Sequence, residues 1–437
     1  MGVVLMVSIY GWFTSLFPKH FSSGSIYWNI FLHLSFLVTS IVAFQKWSID
    51  SPIISSSITA LNLAITALAL IISARSITFK ANIYNNLLLL SFTIFYLFNM
   101  ISIPFSTKPF YPVSLFYGID VILTLFALSK LEININKILN ISKNVLLYIS
   151  ILSILTAFLY PPLSIEPYDS GLIGLTTRMH GLTSHANTLG ALMALLVIYI
   201  VYTFSLKWKD IFSLVFALTV LLWSQSKTSW LALLIGISVL LLYRISNIKN
   251  RAARYASLLT ILTVLILSVS AIRFSADDIK IDETFTGRSV VWEQSLQEYK
   301  KNNLGGYGPE LWSENYANDQ GLPWATQAHN QWYQTLGSSG NIGMIGLLVY
   351  TLTLTFMAVS CAKNTRGLSL AVVSIMLSRS FTESSFQISS LDISNVAFQV
   401  SACLIIMNSR RSSLILSGIR LKMLQNNKKA WPPESIK

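Results

Sequence analysis

The sequence predicts an all-α, polytopic membrane protein of about 11 to 13 transmembrane helices with one large extracytoplasmic loop. Three observations predict it. Of the 437 residues, 53% are hydrophobic and 11% are charged, against roughly 25% charged in an average soluble domain. Apolar runs approaching the about 20 residues needed to cross a bilayer recur along most of the chain. One long polar stretch, Arg273 to Gly340, separates two such runs, and a connection beyond about 12 to 15 residues is usually functional.

In chain order, the candidate spans lie near residues 4–17, 26–44, 52–73, 87–104, 111–129, 145–163, 186–206, 211–223, 229–243, 257–272, 341–361, 367–379 and 393–407. The first lacks a basic leader and a small-residue cleavage site, so it reads as a short span rather than a removable signal peptide. The chain accordingly divides into transmembrane helices over 1–272, an extracytoplasmic catalytic loop over 273–340, further transmembrane helices over 341–409, and a basic cytoplasmic tail over 410–437. No internal repeat or low-complexity segment is present.

Lysine and arginine in short loops stay on the cytoplasmic side. Every second connection is basic: Arg75 with Lys80; Lys130, Lys137 and Lys143; Lys207 with Lys209; Arg244, Lys249, Arg251 and Arg254; Lys363 with Arg366; and the tail from Arg410. The long loop has nine acidic residues (Asp277, Asp278, Asp282, Glu283, Glu293, Glu298, Glu310, Glu314, Asp319) against five basic ones. It is expected outside the cytoplasm, with the C-terminus inside. The formal charge of +13 is therefore a topology signal, and no nucleic-acid partner is expected. Cys361 and Cys403 both lie in apolar runs, which implies neither a disulfide framework nor a thiolate metal site.

This orientation places four polar clusters on one side: Arg178-Met-His180-Gly181 with His185-Ala-Asn187; Ser224 to Thr228; the long loop; and Arg379-Ser-Phe-Thr-Glu383. Arg178, Lys227, Arg288 and Arg379 each stand beside a span end. Cations held outside against the usual bias suit an anion at the membrane surface, such as a lipid-linked diphosphate. Arginine grips phosphate oxygens in a planar fork, and lysine supplies a point charge. Thr286 or Ser289 can cap a helix that puts Trp292, Leu296 and Tyr299 on one face and Glu293, Glu298 and Lys300 in water. Arg288 would then lie at an anion-attracting helix N-terminus.

His329, followed by Asn330, is the candidate general base, with His180 and His185 as competitors and Asn187 as a group that positions a sugar or backbone atom. Gly305, Gly306 and Gly308 read as a turn, because no strand precedes them and no Lys-Ser or Lys-Thr pair follows. Gly337, Gly340, Gly343 and Gly346 read as a close-packing stripe. Asp120 is an acid inside a span with no partner apparent from sequence. No metal spacing is recognised among the external His, Asp and Glu residues, and no cofactor is expected.

These elements together resemble the O-antigen ligase and Wzy-type polysaccharide polymerase superfamily. The resemblance rests on Arg178 with His185-Ala-Asn187-Thr-Leu-Gly190, Ser226-Lys227-Thr228, Gly287-Arg288 with Trp292, Gly306-Tyr-Gly308, and Ala328-His329-Asn330 with Gly340 and Gly343, over about 175–385. Lys227 stands where ligases usually have arginine, and Ser338 where many members have glutamate. The Ser-Lys-Thr turn, Gly-Tyr-Gly followed by Trp312, Ala-His-Asn and Arg379 to Glu383 are closer to the exopolysaccharide polymerase branch.

The resemblance implies a GT-C-like fold and a metal-independent glycosyltransferase of the bacterial inner membrane, its site facing the periplasm; a single displacement there would invert the anomeric carbon. The enzyme would join undecaprenyl-diphosphate-linked repeat units, with membrane lipid and possible chain-length regulators as its surroundings. It implies His329 as base and Arg288 on the donor diphosphate, with Arg178, His185, Asn187, Lys227, Asn330, Arg379 and Glu383 expected to contact substrate. The alternatives are an O-antigen ligase transferring glycan to lipid A core, and a lipid-linked glycan transporter in which Asp120 rather than His329 would matter.

Overall fold

The computed structural model describes residues 23–47, 60–67, 69–70, 83–112, 117–130, 133–168, 175–246, 288–386 and 393–409. The expected spans 4–17 and 257–272, the Arg75/Lys80 connection, Lys249 to Arg254, the loop segment 273–287 with Gly287 and Thr286, and the tail from Arg410 lie outside them. The described chain is helical: α1 (Ser23–Trp47), α2 (Ile83–Ser102), α3 (Tyr117–Lys130), α4 (Ile135–Leu159), α5 (Ala186–Thr203), α6 (Trp208–Trp223), α7 (Lys227–Ser246), α8 (Arg288–Lys301), α9 (Glu314–Asp319), α10 (Gln331–Cys361), α11 (Leu368–Ser380) and α12 (Ile393–Ser409). Among the described residues six helices are long and apolar enough to cross a membrane, and shorter apolar ones cover Tyr117–Ser129, Leu368–Ser380 and Ile393–Ser409. This is an integral, all-α membrane protein.

Two helices begin ten residues before the expected span. α4 starts at Ile135 because the Asn134 side chain accepts the Asn136 N–H at 2.8 Å. α10 starts at Gln331, capped by Asn330, and hydropathy detects only its part beyond Gly340. Gly340 has φ +57° and ψ −153°, a conformation open essentially to glycine. There the helix opens, Asn341 N–H reaches Asn303 O at 2.8 Å, and Leu304 O lies 2.4 Å from where a Cβ would stand.

Gly340→Ala is therefore expected to cost about 1–3 kcal/mol in backbone strain before the overlap is counted. The check is the thermal midpoint in detergent, which an unstrained site would leave unchanged.

Helix contacts follow from small residues. Gly343 and Gly346 bring α10 against Asn99, Phe95 and Phe98 of α2, and Tyr350 stacks on Phe95 at 5.7 Å and meets Phe92 edge-on at 5.3 Å. Gly236 of α7 seats Ile375 of α11. α5 is buried from Leu189 through Ile200, as expected of a helix apolar all round at the centre of a bundle. The opposite condition holds along α10, where Ile345, Leu348, Leu352, Phe356 and Val359 form an exposed apolar face suited to lipid.

The helices alternate between two ends. At one end Arg244 Nη2 donates to Tyr202 O (3.3 Å), Lys143 Nζ to Thr203 Oγ1 (2.8 Å), and Ile133 N–H to Asn408 Oδ1 (3.3 Å). At the other, Lys46 Nζ donates to Ser184 O (3.0 Å), and Gln225 Nε2 to Leu175 O (3.1 Å) and Thr177 O (2.6 Å). The polar clusters that the sequence places on one side share this second end. It also carries, alone among the described residues, a departure from all-α structure, an antiparallel pair of three-residue strands, β1 (Ile165–Pro167) and β2 (Thr177–Met179).

The face of α8 is turned by one residue from expectation. Val291, Ser295 and Glu298 are buried, not Trp292, Leu296 and Tyr299. Glu298 is buried rather than in water, because Lys301 Nζ at 2.7 Å and Tyr316 OH at 3.2 Å donate to it. The helix begins at Arg288, so Ser289 lies inside it and is no cap. The Gly305–Gly308 stretch is a turn as expected: Tyr307 N–H reaches Gly337 O at 2.7 Å and Gly308 N–H reaches Ser338 O at 3.0 Å, which locks the loop onto α10. Asp120, partnerless in the sequence, accepts a hydrogen bond from Thr66 Oγ1 at 2.8 Å.

Candidate functional site

The site is built on the turn that follows α11. Thr382 and Glu383 N–H both donate to Arg379 O, at 2.9 and 2.7 Å, and fold the chain back on the helix end. Three neighbours then tie the turn to α10: Asn330 Nδ2 donates to Phe381 O at 3.0 Å, Phe386 N–H donates to Gln331 Oε1 at 2.8 Å, and Trp332 stacks on Phe381 at 5.8 Å. This holds the Glu383 carboxylate, 8% exposed, in one place.

Three expected site residues meet at that carboxylate. Arg288, at the start of α8, donates Nη2–H to Glu383 Oε1 at 3.1 Å and Nη1–H to Thr382 O at 2.9 Å. Asn187, in the first turn of α5, donates to Oε1 at 2.6 Å. His329 Nδ1 lies 3.1 Å from Oε2, and Gln327 Nε2 stands at the edge of bonding distance, 3.5 Å from the same nitrogen. Burial by itself would raise the Glu383 pKa. The hydrogen bond from His329 and the charges of His329, Arg288 and His185 outweigh it and bring the carboxyl down to about 2. Its ionisation therefore stabilises the fold above the ordinary carboxylate range, and that contribution is lost as pH falls toward 2.

His329 has φ +48°, a left-handed conformation uncommon outside glycine. The bend lets Asn330 leave in extended geometry and cap α10, its Oδ1 accepting the N–H groups of Trp332 (2.9 Å) and Tyr333 (3.3 Å). Non-glycine residues held this way cost of order 1–3 kcal/mol and gather where function over-determines the backbone. Of the ring, Nδ1 faces Glu383, and Nε2 has no partner among the described residues.

His185 caps α5, its Nδ1 accepting the Asn187 N–H at 3.1 Å, and its ring lies 6.4 Å from that of His329. Desolvation lowers its pKa to about 3; Glu383 opposes this, and Arg178, Lys46 and His329 add to it. The competing His180 is fully buried, and burial lowers its pKa to about 4.

The remaining expected residues are placed differently. Arg178 sits opposite Glu166 on the hairpin, with Nε 2.5 Å from Oε1 and its guanidinium 4.5 Å from the Tyr168 ring centroid. Its charge is balanced at home. Arg379 is buried with its guanidinium 5.4 Å from the Phe398 ring, and it shapes the site through its backbone carbonyl. Lys227 opens α7, half-buried, two residues before Ser229, whose hydroxyl donates to Asn187 O at 3.4 Å.

Sequence reasoning missed Glu166, Gln327 and Gln225. Only Gln225 carried a signal, as the amide within the polar Ser224–Thr228 cluster. Among the described residues no group of three or more His, Cys, Asp or Glu is arranged to hold a metal ion.

The chemical capacity of this arrangement is a histidine backed by a carboxylate, beside an arginine with three N–H donors unused among the described residues. Residues 212–348 match the family model of O-antigen ligase. The similarity to the O-antigen ligase and Wzy-type polymerase superfamily is thus found in the segment that holds Lys227, Arg288, His329 and Asn330. Members of that family are membrane glycosyltransferase-like ligases and polymerases acting on lipid-linked glycans. Arg178, His185, Asn187, Arg379 and Glu383 lie outside the matched residues, and the fold brings Asn187 and Glu383 onto Arg288 and His329. No curated protein matches the chain.

Proposed function

We propose that the protein is a polysaccharide polymerase joining undecaprenyl-diphosphate-linked repeat units at the extracytoplasmic face of the bacterial inner membrane. The observation that carries this is the convergence of Arg288 and His329 on the buried Glu383 carboxylate. The alternation of helix ends supports the sidedness, because Lys143, Lys207, Lys209, Arg244, Lys363 and Arg366 belong to the opposite end.

Glu383 accepts the Nδ1–H of His329, which leaves the Nε2 lone pair as base. Nε2 takes the proton of an acceptor-sugar hydroxyl, and the oxygen bonds to the anomeric carbon of the donor. The bond from that carbon to the diphosphate breaks, and its electron pair leaves on the diphosphate oxygen. A single displacement inverts the anomeric centre. Arg288, oriented by Thr382 O and Glu383, directs its free N–H donors to the developing charge. In this reading Lys227 adds a second cation for the diphosphate, whereas Arg178, paired with Glu166, and Arg379, over Phe398, support the framework of the site.

The ligase reading has its own support, because the matched family model is described as O-antigen ligase. Both readings use the same donor site, and the acceptor decides between them. Purified protein with EDTA is incubated with a lipid-linked repeat unit as sole glycan, and the products are sized. A ladder of longer lipid-linked glycans is the expected result. Transfer only once lipid A core is added would replace polymerase by ligase.

A further inference from the structure

We propose that His185 binds the acceptor sugar through Nε2–H, as a donor of fixed tautomer facing the same reaction space as His329. The inference rests on the transferase reading above and adds to it the group that aligns the attacking hydroxyl.

Histidine is an unusual helix cap; serine, threonine, aspartate and asparagine are preferred. At α5 the capping atom is Nδ1, which accepts the Asn187 N–H at 3.1 Å. A ring nitrogen that accepts carries no proton, so the single proton of the neutral imidazole sits on Nε2. The backbone around it is fixed: His185 is extended (φ −159°, ψ 145°), and Thr183 Oγ1 donates to the carbonyls of His180 (2.6 Å) and His185 (3.0 Å). The side chain is half-buried, and its Nε2 has no partner among the described residues.

His329 is wired the other way. Its Nδ1 faces a carboxylate, so Nδ1 carries the proton and Nε2 the lone pair. Two rings 6.4 Å apart thus hold complementary free nitrogens, an acceptor on His329 and a donor on His185. A hydroxyl matches that pair, since it gives its proton to one nitrogen while its oxygen, or that of a neighbouring hydroxyl on the same sugar, accepts from the other. A neutral imidazole adds no charge for a diphosphate, which assigns His185 to the acceptor and not to the donor lipid.

Two variants separate this role from capping. His185→Asn keeps a preferred cap but has no donor at the Nε2 position, whereas His185→Gln carries an amide N–H near that position. The acceptor is a synthetic repeat-unit oligosaccharide without lipid or diphosphate, and binding of the undecaprenyl-diphosphate glycan is measured separately. His185→Asn is expected to keep the thermal midpoint and the donor Kd while raising the acceptor KM about tenfold, the effect of one lost hydrogen bond; His185→Gln recovers part of it. An unchanged acceptor KM in His185→Asn, or a change confined to donor Kd, overturns the inference. His329→Ala is run alongside. If it is inactive while His185→Asn keeps its acceptor KM, only the present inference fails; if it transfers like the parent, or the parent transfers nothing, the transferase reading fails and takes this one with it.

Discussion

Replacing His329 by alanine is expected to lower kcat for glycan transfer by about 10²–10⁴-fold, the usual contribution of a positioned general base. Binding of the lipid-linked donor should change little, because the donor diphosphate is assigned to Arg288 and not to the imidazole. The substitution also relieves no essential packing. His329 is half-buried, and Asn330, not His329, caps α10. Steady-state rates with saturating donor, together with a direct donor Kd, check both halves of the expectation. Activity within a few-fold of the parent would remove His329 from the chemistry.

The second large effect is expected at Glu383. Glutamine there keeps an oxygen for Arg288 Nη2 and Asn187 Nδ2, which both meet Oε1. It then presents an amide N–H to His329 Nδ1 in place of the Oε2 acceptor. That nitrogen must now accept, so the ring proton moves to Nε2 and the base is lost although every heavy atom stays in place. Loss of an orienting carboxylate by this wrong-tautomer route costs about 10⁴-fold in kcat in serine proteases. For Glu383→Gln we expect a fall of about 10²–10⁴-fold in kcat, with donor KM within a few-fold. Glu383→Asp, which retains the charge, should recover part of the rate. A purely structural Glu383 would instead give variants that lose thermal stability in proportion to activity, with no advantage for aspartate.

The membrane fold was legible because hydropathy reports directly on lipid burial, and the family resemblance was legible because its residues are local in sequence. Where the expectation slipped, a short-range polar device had overridden hydropathy. Asn134 and Asn330 start α4 and α10 ten residues early, through side-chain bonds to free N–H groups. On α8 the phase moved by one residue because Tyr316 and Lys301 supply partners that make burial of Glu298 tolerable. β1 and β2 are too short for an alternating pattern, so the Glu166 partner of Arg178 could not be anticipated.

The residue types at the site were all visible in the sequence, but their division of labour was not. Arg178 and Arg288 look alike on paper. Pairing across a hairpin commits Arg178 to Glu166, whereas Arg288 is held by Thr382 O and by the Glu383 carboxylate that also faces His329. Glu383 was expected as a substrate contact, and its place against His329, Arg288 and Asn187 makes positioning of the base the role we now propose for it.

The central claim is that this constellation breaks the bond between a glycan and its lipid diphosphate. Proteoliposomes carrying the protein and a labelled lipid-linked repeat unit, analysed for both lipid and glycan products, test it most directly. The account predicts one undecaprenyl diphosphate released for each glycan transferred, and neither product with His329→Ala. Donor recovered intact on the opposite leaflet, at equal rates in the parent and His329→Ala, would contradict it and identify a carrier.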